Sequence, residues 1–331
     1  MDPLTQGVLG SSVTQTTASK KEITLATIMG CLGGMAADLD IFIRSSSDPL
    51  LYIEFHRHFT HSLFFIPIGG AIISFLLWIS CLRKRPFKKI YKYTTIGYAT
   101  HALLDGCTSY GTLLLWPISD HRFAWDSISI IDPLVTIPLL LGTLLTVYLK
   151  NKKWAYFSLS FVALYFVFGF VQNNRVKEQV YVLAKKRGHQ IERVRVTPSL
   201  ANLIVWRTFY QYEEDFYVDS IRMNFLGTSK VFEGGKVRRF NFEKILNEVS
   251  RESFLYKDLK RFSWFADEWL ITHPNNANLI MDLRYSSLPS SLKPLWGIEL
   301  PVEPELGHAK YKVFPRNINS ETLKDFLKFF D

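Results

Sequence analysis

A chain of 331 residues is long enough for two domains, and its mean hydropathy of +0.07 averages two unlike halves. Three cysteines, Cys31, Cys81 and Cys107, all in apolar stretches of the first half, exclude a disulfide-built secreted scaffold and read as buried free thiols. The net charge of +9 does not indicate nucleic-acid binding, because much of it sits in RKRPFKKIYK (83–92) and KNKK (150–153), both abutting apolar segments, where basic residues set membrane orientation.

In chain order, the start MDPLTQGVLGSSVTQTTASKK lacks the basic and apolar regions of a signal peptide. Residues 2–17 suggest a short, weakly apolar helix at or dipping into the interface. Membrane spans are expected at 23–43, 62–82, 90–110, 131–149 and 154–172, each near the ~20 residues that cross ~30 Å of hydrocarbon. The positive-inside rule places 83–92 and 150–153 in the cytoplasm and 44–61 and 111–130 on the other side. The last span then delivers residues 175–331 outside. This half is polar and mixed. SIRMNFL (220–226), LIMDLRY (279–285) and HAKYKVF (308–314) alternate as half-buried strands do, and NLIVWRTFYQY (202–212) reads as a more buried strand. Phe242, Ile245, Leu246 and Val249 form one helical stripe. The expected fold is an all-α polytopic membrane domain of five to six helices (1–173), followed by a soluble, extracytoplasmic α+β domain (175–331) with a self-contained core. The location is the plasma (inner) membrane, crossed several times.

Within the first 135 residues, ionisable side chains interrupt apolar sequence: Asp38 and Asp40, then His56 and His61 in HRHFTHS, then His101 and Asp105, then Asp132. Such residues cost at least ~2.5 kcal/mol near a bilayer core and mark functional sites by default. The expected topology brings them all to one membrane face. His101 and Asp105 are four apart and share a helix face, and histidine with aspartate is a ligand set for zinc. Asp38 and Asp40, two apart, point in different directions on a continuous helix, so one is a ligand and the other supports it, or the helix ends there. Bland readings stand beside these: solvated interfacial acids for the Asp38–Asp40 pair, and a buried ion pair for His101–Asp105. His189, His273 and His308 are isolated and read as structural.

The stretches MDPLTQ, ADLDIF, HRHFTHS, YATHALLDGCTSYGTLLLWP and IIDPL resemble the YdjM-like (YfhP-like) family of membrane-bound, metal-dependent hydrolases. The resemblance covers residues 1–135 and says nothing of 175–331. That family is in turn similar to zinc-dependent phospholipase C and P1 nuclease, whose sites use an Asp, a His and a His-x-x-x-Asp pair in this order. The resemblance implies a divalent metal, zinc, held by Asp38 or Asp40, His61, His101 and Asp105; the imidazole-rich HRHFTHS adds His56 to the candidate metal residues. The second His-x-x-x-Glu pair of those enzymes is missing, which argues against three metals.

The leading reading is therefore a membrane hydrolase of phosphoester or lipid-type substrates at the outer face, with membrane lipids as its surroundings. Asp132 is a further ligand or orients one, and Arg57 and Arg122 hold anionic oxygens. The alternatives are a metal-ion or proton-coupled transporter and a non-catalytic anchor for the soluble domain.

Overall fold

The computed structural model describes all residues except 243–244, 246–248, 302–306 and 316–319. The chain forms two units, the first from Met1–Phe42, Phe55–Gln172 and Leu200–Leu203, the second from Ile43–Glu54, Asn173–Ser199 and Ile204–Asp331.

The first unit is built on α1 (Pro3–Thr17). Asp2 caps it by accepting the Thr5 N–H at 3.0 Å, and Pro3 follows at the first helical position. Its polar side chains Thr5, Gln6, Ser11, Ser12, Thr14 and Gln15 are buried. It packs against α2 (Ile23–Ala36), α5 (Phe87–Gly106) and α6 (Pro133–Leu149). The expected interfacial helix is thus an interior one. Thr, Ser and Gln read as surface in water, but in a membrane protein small and polar residues are what helices pack with. Ser12 Oγ meets Thr143 Oγ1 at 2.8 Å, and Gln15 Nε2 donates to Thr27 Oγ1 at 2.9 Å.

Among the described residues, three helical stretches are long and apolar enough to cross a membrane: Ile23–Phe42, Leu63–Leu82 and Lys153–Lys186. These coincide with three of the five expected spans, 23–43, 62–82 and 154–172; those expected at 90–110 and 131–149 are not among them. Pro133–Leu149 is apolar but short, and α5 begins with Lys88, Lys89 and Lys92. The α4 helix (Ile66–Leu77), α6 and α7 (Lys153–Lys186) expose Ile72, Phe75, Leu141, Leu144, Phe157 and Leu164, an outer surface suited to lipid. Lys89 and Tyr93 hold Glu22, Lys150 reaches Thr24, and Lys152 reaches the Thr16 carbonyl. The basic residues therefore gather at one end of the bundle. Cys81 is exposed and Cys31 half-exposed, so only Cys107 is the buried thiol expected of all three.

The second unit carries two four-stranded antiparallel meanders. One orders β1 (Arg193–Pro198), β2 (Val205–Tyr212), β3 (Asp215–Met223) and β4 (Ser229–Arg238); the other orders β5 (Leu270–His273), β6 (Asn276–Asp282), β7 (Trp296–Glu299) and β8 (Lys310–Val313). Helix α8 (Phe254–Phe265) lies between them in sequence. Phe209, Phe216, Val218, Trp269, Ile271 and Met281 form a core cluster. The four expected strands fall in β2, β3, β6 and β8. The expected 242–249 helical stripe includes Leu246, which lies outside the described residues.

The units divide at Gln172 and Asn173, at the boundary expected at 173–175, but two features of it were not expected. Helix α7 runs through it without a break to Lys186, and residues 43–54 belong to the second unit. Leu50 and Ile53 there are fully buried, at 0% and 1% exposure. A fragment spanning 178–331 lacks both, so it is expected to melt well below the same unit in the full chain. A deleted aliphatic side chain typically costs ~2–5 kcal/mol. Calorimetry of the fragment checks this, and a cooperative transition at the full-length temperature would contradict it.

Candidate metal centre

Helix α2 ends at Ala36, and the chain tightens into a 3₁₀ turn over Ala37–Phe42. At three residues per turn, neighbouring side chains diverge by about 120°, so Asp38 and Asp40 leave the turn on different sides. Asp38 faces two imidazoles, His61 at the end of the Phe59–His61 turn and His101 on α5. Asp105 follows one helical turn after His101.

Four atoms converge. His61 Nε2 lies 3.2 Å from Asp105 Oδ2 and 3.6 Å from Asp38 Oδ1; His101 Nε2 lies 3.4 Å and 3.3 Å from the same two oxygens. Among the described residues none of these four buried atoms has a hydrogen-bond partner. A buried polar atom without a partner costs ~1–3 kcal/mol, and more when charged. Four such atoms aimed at one point fit a bound cation, and this group could hold a metal ion. His61, His101 and Asp105 are fully buried, whereas the Asp38 side chain is 18% exposed and marks the open side.

The remaining atoms of these side chains are anchored. His101 Nδ1 sits 2.5 Å from the Gly34 carbonyl; a proton there leaves the Nε2 lone pair facing the cluster. His61 Nδ1 faces Asp40 Oδ2 at 3.2 Å, the carboxylate–histidine arrangement that orients metal ligands. Asp40 also meets His56 Nδ1 at 2.8 Å and accepts from the Arg57 N–H at 3.0 Å and the Thr60 hydroxyl at 2.7 Å. Asp38, Asp40 and His56 form a second group with metal-ligand spacing, but these donors already occupy both Asp40 oxygens. Asp40 and His56 thus brace the four-atom cluster from outside it.

Asp105 Oδ1 accepts from Gln6 Nε2 at 2.9 Å and meets the Met1 amino group, and Oδ2 lies 3.2 Å from Arg57 Nε. Arg57 is buried, adopts φ 65° and lies over the Tyr110 ring at 4.7 Å. Arg122 shares that ring at 5.6 Å and donates to the Gly111 carbonyl at 3.0 Å. Burial opposes a proton on His61, yet Asp105, Asp38 and Asp40 outweigh it and push its imidazole up to about 10. The cluster therefore calls for positive charge, as a proton or as a metal.

Asp132 stands apart. It accepts the Leu134 N–H at 3.1 Å, capping α6, and takes the Tyr165 hydroxyl at 2.9 Å. Its Asp-Pro dipeptide is a helix-start signature, like Asp2-Pro3, and the ligand reading overlooked it. Gln6 and the Gly34 carbonyl were not singled out from the sequence. Gln6 lies within MDPLTQ, but a backbone carbonyl leaves no trace in residue identity.

Residues 1–176 match the profile of the YdjM inner membrane protein family. The chain belongs to that family. The YdjM match ends close to Gln172, where the first unit passes into the second along α7. The chain is also 23% identical over 197 residues to the uncharacterised protein YfhP of Bacillus subtilis (strain 168). That alignment covers 59% of this chain and 58% of that relative's length. No solved structure matches.

Proposed function

We propose that this YdjM-family protein is a membrane-bound, zinc-dependent hydrolase of phosphoester or lipid-type substrates. The observation that carries the reading is the spacing of the four orphaned atoms, 3.2–3.6 Å. In a tetrahedron each edge is about 1.63 times the centre-to-corner distance, so zinc bonds of about 2.0–2.1 Å give edges of about 3.3–3.4 Å.

Zinc at such a point supplies Lewis acidity and an acidified water. The chain's own residues do the rest. His61, His101 and Asp105 form the buried floor, and Asp38, at the open side, is the ligand a substrate meets and the one able to yield its position. Arg57, buried on Asp105, balances the charge of the carboxylates. Arg122, half-buried beside Tyr110, is placed for an anionic oxygen. Lys89 and Asp105 lie 16 residues apart on α5, or about 24 Å at 1.5 Å per residue. With the basic end in the cytoplasm, the metal centre faces outward, within reach of an amphiphile, and the second unit is extracytoplasmic.

The test uses detergent-purified protein supplied with zinc and a panel of phosphoesters and phospholipids. Turnover by wild type and its loss in His101→Ala support hydrolysis. Zinc flux into proteoliposomes that is lost in His101→Ala, without turnover, would replace hydrolysis by transport. Impermeant labelling of a cysteine placed at 230 only after lysis would reverse the orientation.

A further inference from the structure

Between Asp40 and His56 the chain leaves the first unit, because Ile43–Glu54 is part of the second. The two turns that bring Asp38 and His61 together are therefore the ends of a segment that is folded elsewhere. That segment is anchored. Asp48 accepts the Leu50 N–H at 3.0 Å, α3 (Leu51–Phe55) follows, and Leu50 and Ile53 are buried.

Arg261 of α8 grips the same segment. Its terminal nitrogens lie 3.0 Å from each Asp48 oxygen, and one of them is 2.6 Å from Glu54 Oε2. From behind, Nη1 meets Asp258 at 3.2 Å. Asp258 is fully buried, accepts the Ala309 N–H at 2.7 Å and faces His308 Nδ1 at 3.0 Å. Asp48, Asp258 and His308 have metal-ligand spacing, but the Arg261 guanidinium already lies on both carboxylates. Three carboxylates surround one guanidinium, with hydrogen bonds from Nη1 to Asp48 and Asp258 and ion pairs from Nη2 to Asp48 and Glu54, a charge-assisted clamp rather than a loose surface pair.

We infer that Arg261 is a positioning residue for the metal centre. By holding Asp48 and Glu54 it keeps the connection between Asp40 and His56 folded, and so sets the approach of Asp38 to His61. A flexible connection of this length would oppose that closure entropically; a folded one does not. Glu54 is two residues from His56, whose ring meets Asp40 at 2.8 Å, so little slack absorbs a shift. The second unit thereby governs metal affinity through chain connectivity. The affinity readout rests on the zinc proposal, whereas the exchange readout below does not.

The test is amide hydrogen exchange of the full-length protein in detergent, paired with zinc competition titration. Arg261→Gln is expected to speed exchange about fivefold or more over 37–42 and 55–61 while β1–β3 stay protected. It should also weaken zinc binding about tenfold, the low end for loss of a supporting contact. Glu54→Gln removes one arm only and should act in the same direction with smaller size, which covers the case in which Arg261→Gln does not fold. Arg193→Gln, on the exposed pair with Glu268, is the control and should change neither readout. Faster exchange confined to 43–54, or spread evenly over the second unit, would overturn the inference. Wild-type protein that binds no zinc would sink the metal proposal alone, since the exchange pattern decides the positioning role by itself.

Discussion

Replacing His101 by alanine is expected to lower the zinc content of purified protein from about one equivalent to under a tenth, with the protein still in the membrane. The imidazole is fully buried, and its Nε2 is one of the four atoms that converge. Losing one ligand of four should weaken binding at least about 100-fold, or about 2.7 kcal/mol. Asp105→Asn should do at least as much, because it also strips the charge that Arg57 and the Met1 amino group face. Asp40→Asn should cost about 10–100-fold, since it supports His61 without joining the four. Asp132→Ala should leave zinc untouched and lower stability by about 1 kcal/mol through the lost cap. His189→Ala, in the second unit, is the control for metal. Elemental analysis and competition titration separate these cases. Full zinc retained by His101→Ala, or none in wild type resupplied with zinc, would end the proposal.

What the sequence showed of this site follows from which features have a period. His101 and Asp105 are paired by the helical repeat alone, and HRHFTHS announces itself by density of imidazole. That Asp38 and Asp40 would divide the labour, or that the helix would end there, was legible from their spacing of two; which of them faces the cluster was not. It depends on the switch from α to 3₁₀ geometry at Ala37, which no residue in ADLDIF signals. The burial of α1 was hidden for a different reason: Thr5, Gln6, Ser12 and Gln15 find their partners on helices remote in sequence. Four of the eight described strands of the second unit, β2, β3, β6 and β8, were legible because alternation is local, whereas β1, β4, β5 and β7 were not singled out. The docking of 43–54 was not legible, because a polar connection looks the same whichever unit holds it.

The candidate metal centre also depends on how closely two helices approach, and this gives the second large effect. A Cβ on Gly97 of α5 would stand 2.3 Å from the Gly30 carbonyl oxygen of α2, and one on Gly33 would stand 2.1 Å from the Thr94 carbonyl oxygen. Ordinary contacts begin near 3.4 Å, and both obstacles are backbone, so the helices themselves must separate. In an isolated helix, Gly97→Ala would stabilise by about 1 kcal/mol. Here the sign should reverse, with a net loss of about 1–3 kcal/mol from overpacking. The same separation reaches the site. The Gly34 carbonyl, 2.5 Å from His101 Nδ1, and Asp38, 3.3 Å from His101 Nε2, are both carried by α2 and the turn that follows it. A shift of about 1 Å breaks the geometry that a tetrahedral ion requires. Gly97→Ala is therefore expected to lower the melting temperature in detergent and to lose most of its zinc, although residue 97 touches no ligand. Gly106→Ala, near the end of the same helix, meets the Trp125 side chain first, at 3.3 Å, and should be tolerated. If Gly97→Ala melts at or above wild type with its zinc intact, the helix contact does not set the site, and the close approach of α2 and α5 serves packing alone.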